Sequence, residues 1–204
     1  MALDDRGSIS SFKQKLTIDA DANSRNRPLV WNQQLQLVPG LYQVRVAVRE
    51  RKSGRAGSAM QWLDVPDLAG ARFYLSSLFL AERNPTELTE AKLADAPRSI
   101  TVNVDHRFAR GSVLRFQTYV YNAERAAAAP DIEMQARILS DDTAVAVLPL
   151  AKLPTDTTLD QSRLPYWAEI ALDSLAPGRY VLRVTAIDRR SRMAATQEAG
   201  FVIE

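Results

Sequence analysis

Few side chains in this sequence are suited to catalysis, and the rarest is a single histidine. There is no cysteine, and His106 is the one histidine. A thiolate nucleophile and a cysteine-ligated metal are therefore excluded, and a two-histidine zinc site cannot form within one chain. A Ser-His-Asp triad would have to use His106, which lies where a strand is expected to end, and no G-x-S-x-G motif is present. We expect a surface or turn histidine, no catalytic residue and no enzymatic activity.

A polar stretch near the N-terminus begins like a calcium loop. Asp19, Asp21 and Asn23 have the spacing of the first ligands, but an EF-hand loop needs glycine at its sixth position and glutamate at its twelfth. Ser24 and Val30 occupy those two positions. The glycines are also too scattered for a phosphate-binding loop. We therefore expect a polar turn, no metal and no cofactor.

Basic residues cluster at two points that the sequence predicts to be hairpin ends. Such clusters can bind nucleic acid through its phosphates. However, 26 basic residues are balanced by 24 acidic ones, and no aromatic side chains alternate with the arginines as stacking platforms. We predict solvated turns and no nucleic-acid partner. The clusters are Arg49, Arg51, Lys52 and Arg55, and Arg189, Arg190 and Arg192.

The third candidate is an aromatic patch on one predicted strand. Residues 113–121 alternate as expected of a strand with one buried face. Arg115, Tyr119 and Tyr121 share the opposite face. Aromatic and arginine side chains are favoured at binding surfaces, so we take these three as candidate binding residues. The alternative is that they pack against a neighbouring strand or a covering loop.

The elements that would carry these residues are β-strands. Short runs of alternating apolar and polar residues are separated by Pro, Gly, Asn and Asp, and no stretch of about 11 residues has helical periodicity. One run places Tyr42, Val44, Val46 and Val48 on a face predicted to be buried. Residues 81–97 are expected to form a long loop. The predicted strands are residues 8–18, 29–37, 42–48, 58–65, 72–80, 99–104, 113–121, 132–139, 144–148, 166–172, 179–187 and 196–203.

One segment occurs twice in the chain. Residues 37–46 align without gaps on residues 175–184, and Leu, Pro, Gly, Tyr, Arg and Val recur at the same offsets. Upstream, the predicted strand of Trp31 corresponds to that of Trp167. The repeat indicates two copies of one unit, in which a strand, a Pro-Gly corner and a strand are followed by a hairpin and a further strand.

The repeated corner has a structural interpretation. Its spacing resembles the corner between strands E and F of immunoglobulin-like and fibronectin type III-like sandwiches, where a tyrosine hydroxyl turns back to the upstream backbone. We therefore predict an all-β chain of two tandem immunoglobulin-like β-sandwich modules. The corner residues are Pro39, Gly40 and Tyr42 in the first copy, and Pro177, Gly178 and Tyr180 in the second.

Proline and glycine mark a boundary between the two copies. We predict a first module over residues 1–66, a linker over residues 67–70 and a complete second module over residues 71–204. The first module has only four predicted strands, and four strands do not readily close two sheets over a core. We expect it to be incomplete, with the missing strands supplied by an upstream segment, by a partner chain, or not at all.

The composition is that of a folded protein. Of 204 residues, 46% are hydrophobic and 25% are charged, as in ordinary globular domains. No apolar run approaches the ~20 residues that a membrane helix needs. The N-terminus lacks the basic start and apolar core of a signal peptide. We expect no membrane insertion.

Several segments together resemble a known family. Residues 39–49, 53–59, 65–68, 75–80, 108–111 and 119–123 are similar to the C-terminal region of acidobacterial-type proteins with a von Willebrand factor A-related domain. The D-x-S-x-S metal motif of that A domain is absent here, so its metal chemistry does not carry over. The resemblance implies an extracellular or cell-envelope protein with interaction modules.

The sequence therefore predicts a non-catalytic interaction or structural module. Its partner would be another protein or an upstream domain of the same polypeptide. The alternative is an accessory carbohydrate-binding module of a secreted enzyme, with a glycan as ligand. That alternative calls for exposed aromatic side chains in a row.

Overall fold

The computed structural model describes residues 2–3, 9–10, 31, 33–70, 72–83, 102–124, 129–154 and 162–204. This described part consists of β-strands, turns and irregular segments and contains no helix, which confirms the all-β prediction. The chain divides into two units, Met1–Gly70 and Ala71–Glu204. The division falls at the end of the predicted linker.

Unit 1 contributes one antiparallel sheet within the described residues. Its strands β1 (Ala2–Leu3), β2 (Ile9–Ser10), β3 (Gly40–Arg49) and β4 (Ala56–Val65) are ordered β2-β1-β3-β4. Alternating valines favour β3 as a strand, and β3 and β4 form the predicted hairpin. Gly54 has φ +72° at its tip, where its amide donates to the carbonyl of Glu50 at 3.0 Å.

Two predictions for unit 1 are wrong. Residues 31 and 33–37 lie in no strand, although residues 29–37 alternate. On the predicted buried face of β3, Tyr42 is 6% exposed, whereas Val46 and Val48 are 45% and 68% exposed. Alternation decides which side chains share a face, but a face is buried only where a second layer covers it.

Other predictions for unit 1 fall largely outside the described residues. The predicted strand over residues 8–18 coincides with β2 at Ile9–Ser10, and its other residues are not described. The polar turn predicted at Asp19, Asp21 and Asn23 also lies outside them.

Unit 2 is a sandwich of two sheets. One has the order β11-β8-β5, with β6 also paired to β8, and the other has the order β10-β9-β12-β13-β7. Only the β13–β7 pair is parallel among the described pairs. This order is that of the Greek-key sandwiches to which the immunoglobulin fold belongs. The strands are β5 (Tyr74–Leu75), β6 (Phe79–Arg83), β7 (Arg107–Phe108), β8 (Val113–Tyr121), β9 (Ile132–Ser140), β10 (Thr143–Lys152), β11 (Arg163–Ala171), β12 (Gly178–Asp188) and β13 (Met193–Ile203).

The core of unit 2 lies between these sheets. β8 has the predicted bounds, and its alternate side chains are buried as predicted: Leu114, Phe116, Thr118 and Val120. From the other sheet, β12 contributes Leu182, Val184 and Ala186, each fully buried. Two apolar faces packed in this way stabilise the unit by removing hydrocarbon from water.

The start of unit 2 differs from prediction. Residues 72–80, predicted as one strand, form β5 and β6 with a break at residues 76–78. At the break the hydroxyl of Ser76, rather than a carbonyl, accepts the amide of Tyr119 at 3.0 Å. β6 then extends to Arg83, into the predicted loop over residues 81–97. Residues 102–104 lie in no strand, so the strand predicted over residues 99–104 is wrong there.

Candidate functional site

The outward face of β8 carries the three predicted binding residues. Arg115, Tyr119 and Tyr121 are partly exposed and alternate with the buried core residues. The antiparallel register places side chains of β5, β6 and β11 beside them. The rows across the sheet are Phe79–Gln117–Trp167, Tyr119–Pro165 and Tyr74–Tyr121–Arg163.

The first of these rows has an exposed aromatic side chain at each end. Phe79 on β6 is 38% exposed and Trp167 on β11 is 40% exposed, with Gln117 of β8 between them. Because neighbouring strands lie about 4.8 Å apart, the two aromatic residues are about 10 Å apart across the sheet. The row therefore offers two apolar surfaces with an amide between them.

Contacts within the sheet hold Tyr119 in position. The Gln117 amide nitrogen donates to the Tyr119 hydroxyl at 2.9 Å. The Arg163 guanidinium carbon lies 4.8 Å from the centroid of the Tyr119 ring, a cation–π distance. We call this set of side chains the outer-face patch: Phe79, Gln117, Tyr119, Tyr121, Arg163 and Trp167.

Arg115 is engaged in an ion-pair network on the same face. Its Nε donates to Glu169 Oε1 at 2.7 Å, and Arg83 pairs with the other carboxylate oxygen. The three side chains are only 14–23% exposed. The network therefore ties β6, β8 and β11 together beside the outer-face patch. A binding role for Arg115, Tyr119 and Tyr121 stays a prediction.

Sequence analysis does not find Phe79, Trp167 or Arg163 as site residues. Within β11, Trp167 has the opposite parity to the buried Leu164 and Ile170, which is a signal that it faces outward. No local pattern shows that β11 pairs with β8, or in which register, because strand pairing depends on residues far apart in sequence.

The two predicted corners have the same local geometry. The Tyr42 hydroxyl donates to the carbonyl of Val38 at 2.8 Å, and the Tyr180 hydroxyl donates to that of Ala176 at 2.7 Å. Both carbonyls lie four residues upstream. A Cβ built on the glycine after Pro39 or after Pro177 would lie 3.7 Å from Cε2 of the following tyrosine. Gly40 and Gly178 therefore lie in the same position relative to the rings of Tyr42 and Tyr180. All four residues shape the corner and have a structural role.

His106 and the basic cluster of the β12–β13 hairpin make contacts within unit 2. His106 has φ +54°, and its Nδ1 lies 2.9 Å from the carbonyl oxygen of Gly200. At the tip of the β12–β13 hairpin, Arg189 pairs with Glu133, and Arg190 donates to the Ala129 carbonyl at 3.1 Å. Arg189 and Arg190 therefore contact groups of their own unit.

The buried carboxylate of Asp188 organises the same hairpin end. It is fully buried and accepts the amides of Glu124 at 2.8 Å, Arg190 at 2.9 Å and Ser191 at 3.4 Å. Burial raises the pKa of Asp188, but these amide hydrogen bonds outweigh burial and hold the pKa below its ordinary value.

Among the described residues of unit 2, Asp131 and Tyr166 also have shifted pKa values. The hydrogen bond from Lys152 lowers the pKa of Asp131, whereas burial raises the pKa of Tyr166. Neither group belongs to the outer-face patch. Each pKa shift is explained by a contact or by burial within unit 2.

Within the described ranges, no group of three or more His, Asp or Glu side chains is placed to hold a metal ion. The same residues include no helix of the length and apolar character needed to cross a membrane.

In comparisons with known proteins, no family model and no curated protein matches the chain. The outer-face patch is therefore interpreted from its own residues.

Proposed function

We propose that the chain is a non-catalytic interaction module that binds a partner protein through the outer-face patch. The observation that carries the proposal is the exposed row Phe79–Gln117–Trp167 on an open sheet face. Aromatic and arginine side chains provide most of the binding energy at protein interfaces. Here two aromatic side chains lie in one row, next to Tyr119 and Arg163.

The geometry of the patch favours binding because part of it is already ordered. Tyr119 is held between the Gln117 amide and the Arg163 guanidinium. Side chains fixed before binding lose less conformational entropy when a partner covers them. The strands beneath are fixed in turn by the core of unit 2, so the patch is presented on a rigid support.

The proposal includes the setting that the sequence suggests. From the sequence resemblance to the C-terminal region of von Willebrand factor A-related proteins we infer a module of a larger extracellular or cell-envelope protein. In that setting the partner is a second protein or another domain of the same polypeptide.

A glycan is the second candidate ligand. It is favoured by one feature of the same row, an amide between two exposed aromatic side chains. Planar sugar rings stack on aromatic faces, and hydroxyl groups need donors and acceptors of the kind that Gln117 provides. This would make the chain an accessory carbohydrate-binding module.

The test replaces the exposed tryptophan and a matched residue elsewhere in unit 2. Trp167→Ala removes the largest side chain of the patch. Leu150→Ala is the control, because Leu150 lies on β10 in the other sheet and is also 40% exposed. Each immobilised variant is exposed to cell-envelope extract and, separately, to insoluble polysaccharides, and bound material is quantified. Thermal unfolding shows whether both variants remain folded.

The proposal predicts that one protein is captured by the wild type and by Leu150→Ala, and is lost with Trp167→Ala. For that protein, once purified, the dissociation constant should rise about tenfold or more with Trp167→Ala. If a polysaccharide binds instead, and its binding is lost with Trp167→Ala but not with Leu150→Ala, the ligand is a glycan rather than a protein. Capture that does not depend on Trp167 would overturn both assignments.

A further inference from the structure

The β3–β4 hairpin of unit 1 has an open apolar face. Residues directly opposite in the antiparallel ladder share a face, so Tyr42, Val46 and Val48 lie on the same side as Leu63. Val46, Val48 and Leu63 are 45%, 68% and 41% exposed. No charged side chain lies on this face, whose members are Gly40, Tyr42, Val44, Val46, Val48, Gly57, Ala59, Gln61, Leu63 and Val65.

The β12–β13 hairpin of unit 2 has the same register and a covered face. Tyr42 opposite Leu63 corresponds to Tyr180 opposite Phe201, and the correspondence runs along both hairpins at a constant offset. Val184, Ala186 and Phe201 occupy the places of Val46, Val48 and Leu63. They are 0%, 0% and 2% exposed. The hairpins are alike, so the difference lies in what covers them.

The described strands of the unit 1 sheet correspond to one sheet of unit 2. The order β2-β1-β3-β4 matches the order β10-β9-β12-β13. The registers also agree, since Leu3 pairs with Gln43 where Leu139 pairs with Val181. In unit 2 the second sheet, β11-β8-β5, covers this one. Unit 1 has no counterpart of β8 among its described residues.

The missing counterpart also accounts for residues 33–35. The correspondence of Trp31 with Trp167 aligns them with residues 169–171, the end of β11, which in unit 2 pairs with β8 from Arg163–Tyr121 to Ala171–Val113. Residues 33–35 lie in no strand. A segment with strand periodicity adopts a ladder only beside a partner strand, because the inter-strand hydrogen bonds define it. The open face and the unformed strand therefore share one cause.

We propose that unit 1 binds an extended segment of a partner polypeptide in the position that β8 occupies in unit 2. The segment would pair with residues 33–35 and bury Val46, Val48 and Leu63 under alternate large apolar side chains. In unit 2 the large apolar side chains that β8 contributes to the core are Leu114, Phe116 and Val120. The uncharged face requires an equally uncharged face on the segment, as β8 has toward its core.

The area of the face is too small to hold a second copy of this chain by apolar contact alone. Two ten-residue strands present a face of about 33 Å by 10 Å, or about 300 Å². Two copies face to face would bury about 600 Å² through their hairpins, less than the ~1,000 Å² expected of a stable interface. An added strand buries a similar area but, unlike a second sheet packed face to face, it also gains main-chain hydrogen bonds, which supply affinity in strand-addition complexes.

The test uses a peptide of residues 111–123, which contains β8, as a labelled probe for the full chain. The control peptide carries Leu114→Ser, Phe116→Ser and Val120→Ser. Val46→Lys places a charge on the open face. Val147→Lys is the matched protein control, because Val147 is 52% exposed on β10 of the other unit. Circular dichroism and unit 2 unfolding verify that both variants keep their fold.

The expected result is saturable binding of the peptide to the wild type and to Val147→Lys. Binding should weaken about tenfold or more with Val46→Lys or with the control peptide. Amide exchange should slow at residues 33–48 in the complex. Trp167→Ala should leave peptide binding unchanged, which separates this inference from the proposed function.

Three results would overturn the inference. The first is no binding at ~1 mM peptide, and the second is binding that is insensitive to Val46→Lys. The third is a concentration-dependent dimer of the free chain that Val46→Lys dissociates, because a second copy would then be the occupant.

Discussion

Two hairpins in this chain have the same local structure, but the apolar face of one is exposed and that of the other is buried. β3–β4 and β12–β13 share a Pro-Gly corner, a tyrosine hydroxyl bonded four residues upstream and the same strand register. Val184 is fully buried in the second hairpin, whereas its counterpart Val46 is 45% exposed in the first. Local sequence thus produces the hairpin, and a second sheet decides whether its apolar face contributes to stability.

The largest expected difference is in amide exchange. β12 pairs along most of its length with both β9 and β13. In the part of unit 1 that the structure describes, β3 pairs with β4 and, at Gln43 and Val44, with β1. Amides of β12 should exchange only on unfolding of unit 2, and those of β3 through local opening. We expect about 10³-fold slower exchange in β12, roughly 4 kcal/mol in opening free energy. Equal protection in a monomer would remove the contrast between the hairpins.

The next largest effect concerns the acidic residues that begin the two hairpin turns. Asp188→Ala should destabilise unit 2 by about 3 kcal/mol, because three backbone amides lose a buried charged acceptor. Glu50→Ala should cost at most about 0.5 kcal/mol, since Glu50 is exposed. Urea unfolding at pH 7, monitored separately for each unit, measures both. A similar loss for the two variants would contradict the comparison.

The same carboxylate gives the contrast a pH dependence. The pKa of Asp188 is lowered in the folded state, so its contribution is present above its unfolded pKa of about 3.9 and is lost as the pH falls through the folded pKa. Unit 2 should therefore lose stability on acidification below about pH 4. Asp188→Asn should remove that part of the pH dependence, and a parallel pH profile for the variant would show that other groups are responsible.

A smaller effect is expected from shortening equivalent valines. Val184→Ala removes two buried carbons and should cost about 2 kcal/mol. Val46→Ala should change stability by less than about 0.5 kcal/mol in the free chain. Chemical unfolding checks both values. If the β8 peptide binds unit 1, the Val46→Ala penalty should grow in its presence, whereas the Val184→Ala penalty should not.

The smallest effect tests what the hairpins have in common. Tyr180→Phe and Tyr42→Phe each remove one hydroxyl that donates to a backbone carbonyl. Each should cost about 1 kcal/mol in its own unit. Amide exchange next to each corner gives a local measurement for both. A large loss of stability at one corner and none at the other would show that the shared hydrogen bond contributes differently to the stability of the two units.

Much of the fold follows from local pattern. The alternation over residues 113–121 predicts both the bounds of β8 and its buried side chains, because the period of two is a property of the extended backbone. The repeated Pro-Gly-x-Tyr spacing likewise predicts the hydrogen bonds of Tyr42 and Tyr180. Alternation also predicts a strand over residues 29–37, of which residues 31 and 33–37 are described and lie in no strand, since a ladder needs a neighbour.

The candidate site divides in the same way. Tyr119 and Tyr121 are found from their parity on β8 alone. Phe79 and Trp167 join them only through the pairing of β6 and β11 with β8, which no local pattern specifies. The role of Arg115 in the Glu169 network also depends on that pairing.

By itself the sequence determined an all-β chain, the boundary near residue 70, the two matching hairpins and the face to which each of their side chains belongs. These follow from backbone geometry and from residue types that act over a few positions. Only the tertiary structure decided that Val184 is buried while Val46 is open, and that Phe79 and Trp167 lie in one row. Burial of a face and rows of side chains across a sheet both depend on contacts between segments that are distant in sequence. The pairing and packing of the strands therefore decide them.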